Sequence, residues 1–164
     1  MKISLSQQTH PAKSRRWLIS ILLPLLAFSI SASAELGGDV TSVQTDQVRM
    51  KATLKITEGQ AYSVQEITSP EGTVVREFVS PAGKVFAVAW KGHFMPDLQQ
   101  LLGTYFAQFS QAAQGQQASH RGRRLLNIQE PGLVVQTAGR MRSYTGRAYV
   151  PEMIPQGVGA EVIQ

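Results

Sequence analysis

One turn occurs twice in this chain, eleven residues apart, as Thr68-Ser69-Pro70-Glu71-Gly72-Thr73-Val74 and Val79-Ser80-Pro81-Ala82-Gly83-Lys84-Val85. Nothing else in the sequence restricts the fold as sharply. Proline presets φ at the second position of a type I turn, and glycine accepts the left-handed conformation through which the chain re-enters a ladder. Two such turns around one apolar segment predict a three-stranded antiparallel meander over Tyr62–Thr68, Thr73–Val79 and Lys84–Trp90. The third strand is apolar on both faces, with Phe86, Val88 and Trp90 opposing Val85, Ala87 and Ala89. That pattern makes it a central strand covered on both sides, with a helix lying close over the alanines and Trp90 read as core packing. Upstream, Arg49–Ile56 alternates Met50, Ala52, Leu54 and Ile56 with charged or polar neighbours, a half-buried strand whose lysines suit a sheet edge. Residues 35–48 carry turn and cap residues and read as a loop with a short helix.

Downstream of the meander, Leu98, Leu101, Leu102, Tyr105, Phe106, Phe109, Ala112 and Ala113 follow the i, i+3, i+4, i+7 spacing of one helical stripe. Asp97, with Gln100 three residues on and Pro96 before it, makes a capping-box-like start, so the helix is set at 97–113. Its outer face is uncharged and rich in glutamine. Gln114–Arg124 reads as an exposed linker, followed by two further strands around Leu125–Ile128 or Leu133–Thr137 and Met141–Val150. Residues 151–164 read as an irregular tail. The fold class expected is α+β: an antiparallel β-meander of about five strands with one amphipathic helix packed on one face.

The N-terminus sets Lys2, Lys13, Arg15 and Arg16 ahead of an apolar run of 14 residues, Trp17–Ile30, and then Ala32-Ser33-Ala34. These are the three regions of a cleavable secretory signal peptide, assigned to residues 1–34. The run is shorter than the roughly 20 apolar residues of a membrane span and is broken by Pro24, so no stable span is expected after cleavage. A periplasmic or secreted location follows. Four of the 16 basic residues leave with the leader while all 11 acidic residues stay, so the mature chain carries a net charge of only +1. The high isoelectric point therefore belongs to the leader, and nucleic acid is not an expected partner. Without cysteine the chain has no thiol nucleophile. Residues 35–164 form a single expected domain, long enough to build a core without disulfides.

The string Val75-Arg76-Glu77-Phe78-Val79-Ser80-Pro81-Ala82-Gly83-Lys84-Val85-Phe86-Ala87-Val88-Ala89-Trp90-Lys91-Gly92 is distinctive. With Leu36-Gly37-Gly38, Pro96-Asp97-Leu98 and Met141-Arg142-Ser143-Tyr144-Thr145-Gly146-Arg147-Ala148-Tyr149-Val150-Pro151, it resembles an uncharacterised family of secreted proteobacterial proteins, domain-of-unknown-function family 2844. The resemblance spans the mature chain. It implies an exported bacterial protein and assigns no catalytic or ligand residue.

Charge gives the best functional lead. Residues 120–147 hold Arg121, Arg123, Arg124, Arg140, Arg142 and Arg147 against Glu130 alone. The reading that follows is a non-catalytic envelope module that binds an envelope protein or an anionic glycan or lipid through Arg76, Arg140, Arg142, Tyr144 and Arg147. Strand alternation complicates it, since Arg142 and Arg147 point to opposite faces of an uninterrupted strand unless Gly146 hosts a bulge. Arg76 and Glu77, adjacent in one strand, must also face opposite ways. The competing reading pairs these arginines with Glu66, Glu77 or Asp97. Two other classes stand beside the binding module: a small enzyme or accessory hydrolase using His93 and Asp97, and an export or assembly accessory that docks a partner through the glutamine face of the 97–113 helix. No spacing of metal ligands or phosphate-loop glycines implies a metal or other cofactor.

Overall fold

The computed structural model describes residues 35–41, 48, 51–119 and 125–164. The leader region, residues 1–34, lies outside them, as do Arg49 and Met50 of the first expected strand and residues 120–124 of the expected linker. Seven strands form one antiparallel sheet in the order β1-β2-β3-β4-β7-β6-β5. They are β1 (Thr53–Glu58), β2 (Ser63–Thr68), β3 (Val74–Val79), β4 (Val85–Gly92), β5 (Leu125–Glu130), β6 (Leu133–Arg140) and β7 (Ser143–Tyr149). Two meanders, β1 to β4 and β5 to β7, therefore meet at the β4/β7 seam. The sheet exceeds the expected count of about five, and one of the additional strands has a local origin. Leu125–Glu130 and Leu133–Arg140, read as alternatives for one strand, are two strands joined through Pro131 and Gly132.

The repeated turns are built alike. In the first, the Gly72 N–H donates to the Ser69 carbonyl at 2.9 Å, the Ser69 N–H to the Thr73 carbonyl at 2.9 Å, and the Thr73 N–H to the Ser69 hydroxyl. The second repeats this through Ser80, Gly83 and Lys84, and the two glycines sit at φ 81 and 75. Glycine is needed there because a Cβ makes that backbone region costly. The serine hydroxyl supplies an acceptor for the amide that leaves the turn, which explains the serine of the repeat.

Register at the centre of the sheet departs from simple alternation. Phe78 pairs with Ala87 and Val79 with Val85, so Phe86 is an extra residue in β4. This bulge puts Phe86 on the same side as Ala87 and Ala89, while Val85, Val88 and Trp90 face the other way. The helix lies over the second set. The alanine face expected to receive it is instead covered by the C-terminal residues, with Ile163 fully buried beside Ala87 and Ala89.

The helical cover begins at Asp97, whose Oδ1 accepts from the Gln99 and Gln100 amides at 2.9 and 3.3 Å. It is not one continuous rod. α1 (Leu98–Leu102) stops at Gly103, a turn of 3-10 helix spans Gly103–Tyr105, and α2 (Phe106–Ser119) follows. All eight residues of the predicted stripe nevertheless lie in or against the main core. α2 runs on to Ser119, through residues whose composition reads as linker. Its amides hold the far meander: Gln108 donates to the Pro131 carbonyl at 3.0 Å and Gln116 to that of Asn127. On the near side, Leu36 is fully buried and donates its N–H to the Leu101 carbonyl, while Gly37 and Gly38 bond to the Val85 backbone. No helix among the described residues is long and apolar enough to cross a membrane.

Candidate functional site

The face away from the helices carries a polar row at its centre. Register aligns Glu66, Arg76, Ala89, Arg147, Gln136 and Asn127 across five hydrogen-bonded strand pairs. Arg76 Nε donates to Glu66 Oε2 at 2.8 Å, and Arg147 Nε to Gln136 Oε1 at 2.8 Å. Gln136 in turn donates to Asn127 Oδ1 at 3.2 Å. The Nη1 groups of both arginines reach the C-terminal segment, Arg76 to the Gln164 carbonyl at 3.0 Å and Arg147 to the carbonyls of Ala160 and Ile163 at 2.9 and 3.2 Å. Ala89 lies between the two guanidinium-bearing positions, and Ile163 packs with it. Charged donors therefore satisfy an irregular segment whose carbonyls have no ladder to join. The Arg147 guanidinium also stands 6.0 Å from the Tyr149 ring centroid.

Beside this clamp, toward the β6–β7 turn, the surface opens into a concavity of about 1050 Å³. Arg76, Arg147, Lys91, Arg142 and His93 line it, over apolar ground from Val74, Ala89, Ala138 and Ile163. None of the described residues in its lining is acidic. It also touches Trp90, Thr137 and Gly146 of the neighbouring, helix-facing row.

Three of the five residues expected to bind an anion, Arg76, Arg142 and Arg147, thus share one concavity. The other two do not join them. Arg140 is exposed at the end of β6, outside the lining, and Tyr144 faces the helix side, its ring against Gly139. The bulge considered at Gly146 is absent: register is continuous from Tyr144 to Tyr149. Arg142 reaches the groove because it precedes the strand, in the β6–β7 turn at φ 58. Gly146 serves a different need. A Cβ there would lie 2.3 Å from Trp90 Cζ2, so only glycine lets the indole lie flat on β7. Trp90 is itself buried in the main core, and its Nε1 has no hydrogen-bond partner among the described residues.

Lys91 and His93 were not singled out for this surface by the sequence. Lys91 had a signal, since it follows Ala89 by two residues and must share its face. His93 had none, because a loop residue's direction is set by tertiary contact; its Nδ1 lies 2.9 Å from the Arg142 carbonyl. The proposed catalytic pair is occupied separately, His93 at that carbonyl and Asp97 as the helix cap, and the two line different depressions. Glu77 is fully buried on the helix side, opposite Gln65 and Val88, so Arg76 and Glu77 do part to opposite faces. Among the described residues no three potential metal ligands converge.

No curated protein and no solved structure matches the chain. A family model does, over residues 32–163, described as protein of unknown function (DUF2844), and the chain belongs to that family.

Proposed function

We propose that this protein is an exported, non-catalytic binding module of the bacterial envelope whose ligand is anionic and is received in the concavity on the tail-covered face. The observation that carries this reading is the gathering of Arg76, Lys91, Arg142 and Arg147 around one groove whose described lining has no acidic side chain. The mature chain is almost neutral, so such a concentration of charge is local rather than a property of the whole surface. Structural duty does not exhaust the clamp. The bonds to Glu66, Gln136 and the C-terminal carbonyls engage Nε and Nη1 of each guanidinium, leaving Nη2 as a donor to a ligand. Apolar ground beneath the cations favours a ligand with a carbon skeleton, such as an acidic sugar or a lipid headgroup, over a bare inorganic ion. The basic, apolar and small-residue regions of residues 1–34 support export to the periplasm or beyond, and the family match begins at residue 32.

The test is calorimetric titration with glycerophosphoglycerol and with a galacturonate oligomer at several salt concentrations. Binding that weakens with salt and falls about tenfold in Lys91→Gln combined with Arg142→Gln is the expected result. These two side chains are exposed and outside the clamp, so the fold survives their replacement. Binding indifferent to both salt and the double substitution overturns the proposal.

A further inference from the structure

We propose that the end of the sheet bearing the β6–β7 turn is a docking surface for an anionic lipid bilayer, with apolar loop tips that enter the membrane and cations around them that hold its headgroups. Of the six large apolar side chains exposed among the described residues, only Ile56 lies along a strand away from this end. Phe94 is 61% exposed, Leu125 66% and Met141 83%, and Met95 and Val48 stand with them. The loops are joined into one surface. His93 binds the Arg142 carbonyl, Thr73 Oγ1 donates to the Phe94 carbonyl at 3.3 Å, and Lys51 shares a depression with Phe94 and Met95. Lys51 itself is tied to Val48 through a backbone hydrogen bond.

Charge follows the same polarity. Lys51, Lys91, Arg140 and Arg142 are exposed at this end, where the described acidic residues are Glu71 and the helix cap Asp97. The opposite end carries Glu58, Glu130 and Glu152 beside the Asp39–Lys84 ion pair. An anionic surface therefore attracts one end and repels the other, which presents the apolar tips forward. Phe94 and Met95 share the loop after β4, Met141 stands in the β6–β7 turn and Leu125 opens β5, with the cations Lys91 and Arg142 among them. That suits the headgroup region, where single side chains insert among lipids, better than a permanent protein partner, whose interface centre is a continuous packed apolar patch. The surface extends beyond the anion groove, sharing Lys91, His93, Leu125 and Arg142 with it, and does not depend on a soluble ligand binding there.

The absence of cysteine makes a site-specific test clean. Met141→Cys and, at the opposite end, Gln60→Cys each take one polarity-sensitive thiol fluorophore on the full chain. The probes are then mixed with vesicles of phosphatidylglycerol and phosphatidylethanolamine, or of phosphatidylcholine alone. The expected result is a blue shift at position 141 and not at 60, at least tenfold weaker on the neutral vesicles. Arg140→Gln with Arg142→Gln lowers the apparent affinity on the order of tenfold or more. Phe94→Ser removes the shift while circular dichroism stays native. Lipid contact made only by the apolar residues 17–30 leaves both probes alike, so equal shifts at 141 and 60 overturn the proposal. No shift at 141, a shift indifferent to phosphatidylglycerol, or one produced only by an added protein also overturns it. The groove is judged separately: Phe94→Ser still binds glycerophosphoglycerol if that reading holds, and failure of the parent protein to bind it leaves the bilayer result standing.

Discussion

The two faces of the sheet are sealed by different means. On one, α1 and α2 bring Leu101, Leu102, Phe109 and Ala113 onto β-strand residues such as Val88, Ile128 and Val135. On the other, Phe78, Phe86, Ala87 and Ala89 are closed over by Ile163 and its neighbours in a segment whose only regular pieces are two short 3-10 turns. A helix satisfies its own backbone, so it can cover apolar surface with nothing but side-chain packing. A coil brings bare carbonyls to the surface it covers and needs donors from beneath. Arg76 and Arg147 supply them, and the groove exists where that cover ends.

The largest test of this contrast is to empty each core in turn. Phe86 is fully buried in an aromatic trio with Tyr62 and Phe78, at centroid distances of 5.9 to 6.1 Å. Phe86→Ala should cost about 3–5 kcal/mol in urea unfolding, and Leu102→Ala on the helix face about 2–5 kcal/mol. Comparable losses would show that the coil-covered core bears as much of the stability as the helix-covered one. A loss below about 1 kcal/mol for Phe86→Ala would show the tail face to be a loosely held annex. Next in size is Gly146→Ala, where the new methyl group meets Trp90 across the β4/β7 seam; about 2–3 kcal/mol is expected, read from the same unfolding curves.

How much of this was legible depends on which lid is considered. The helix stripe showed in its spacing because a helix on a sheet has one periodic requirement, and all eight predicted positions serve the core even though Gly103 interrupts the rod. The paired turns were legible because Ser-Pro-x-Gly carries its own geometry. The tail was not. Pro151 to Gln164 has no period, and what fixes it are contacts between Arg76 and Arg147 and carbonyls up to 88 residues away. The same distance effect hid the groove. Strand parity separated Arg142 from Arg147, and only the turn preceding Ser143 brings them onto one side. The bulge at Phe86 had no sequence signature either, so the alternation of β4 assigned Phe86 and Val85 to each other's faces.

A smaller effect separates clamp from core. Arg147→Ala removes three hydrogen bonds, two of them to the tail, and should cost about 2 kcal/mol. Amide exchange is the sharper measurement. Protection should fall at Val162 and Ile163 by more than at Leu101, because the tail can open while the helix face stays closed. Equal loss at both places would mean that the two faces unfold as one unit and that the clamp is not a local device.

The smallest expected effect falls on the helix lid and also separates two roles for one carboxylate. Asp97→Ala removes the acceptor of the Gln99 and Gln100 amides and should cost about 1 kcal/mol, with the denaturant slope unchanged because Leu101 and Leu102 stay anchored in the core. Asn caps a helix about as well as Asp, so Asp97→Asn should restore most of that loss. An acid–base partner of His93 behaves otherwise, since the amide cannot carry the proton and any hydrolysis that depends on the pair vanishes equally in Asn and Ala. Stability rescued by Asn, measured beside hydrolysis of envelope polymers, therefore tells a residue that starts a helix from one that turns over a substrate.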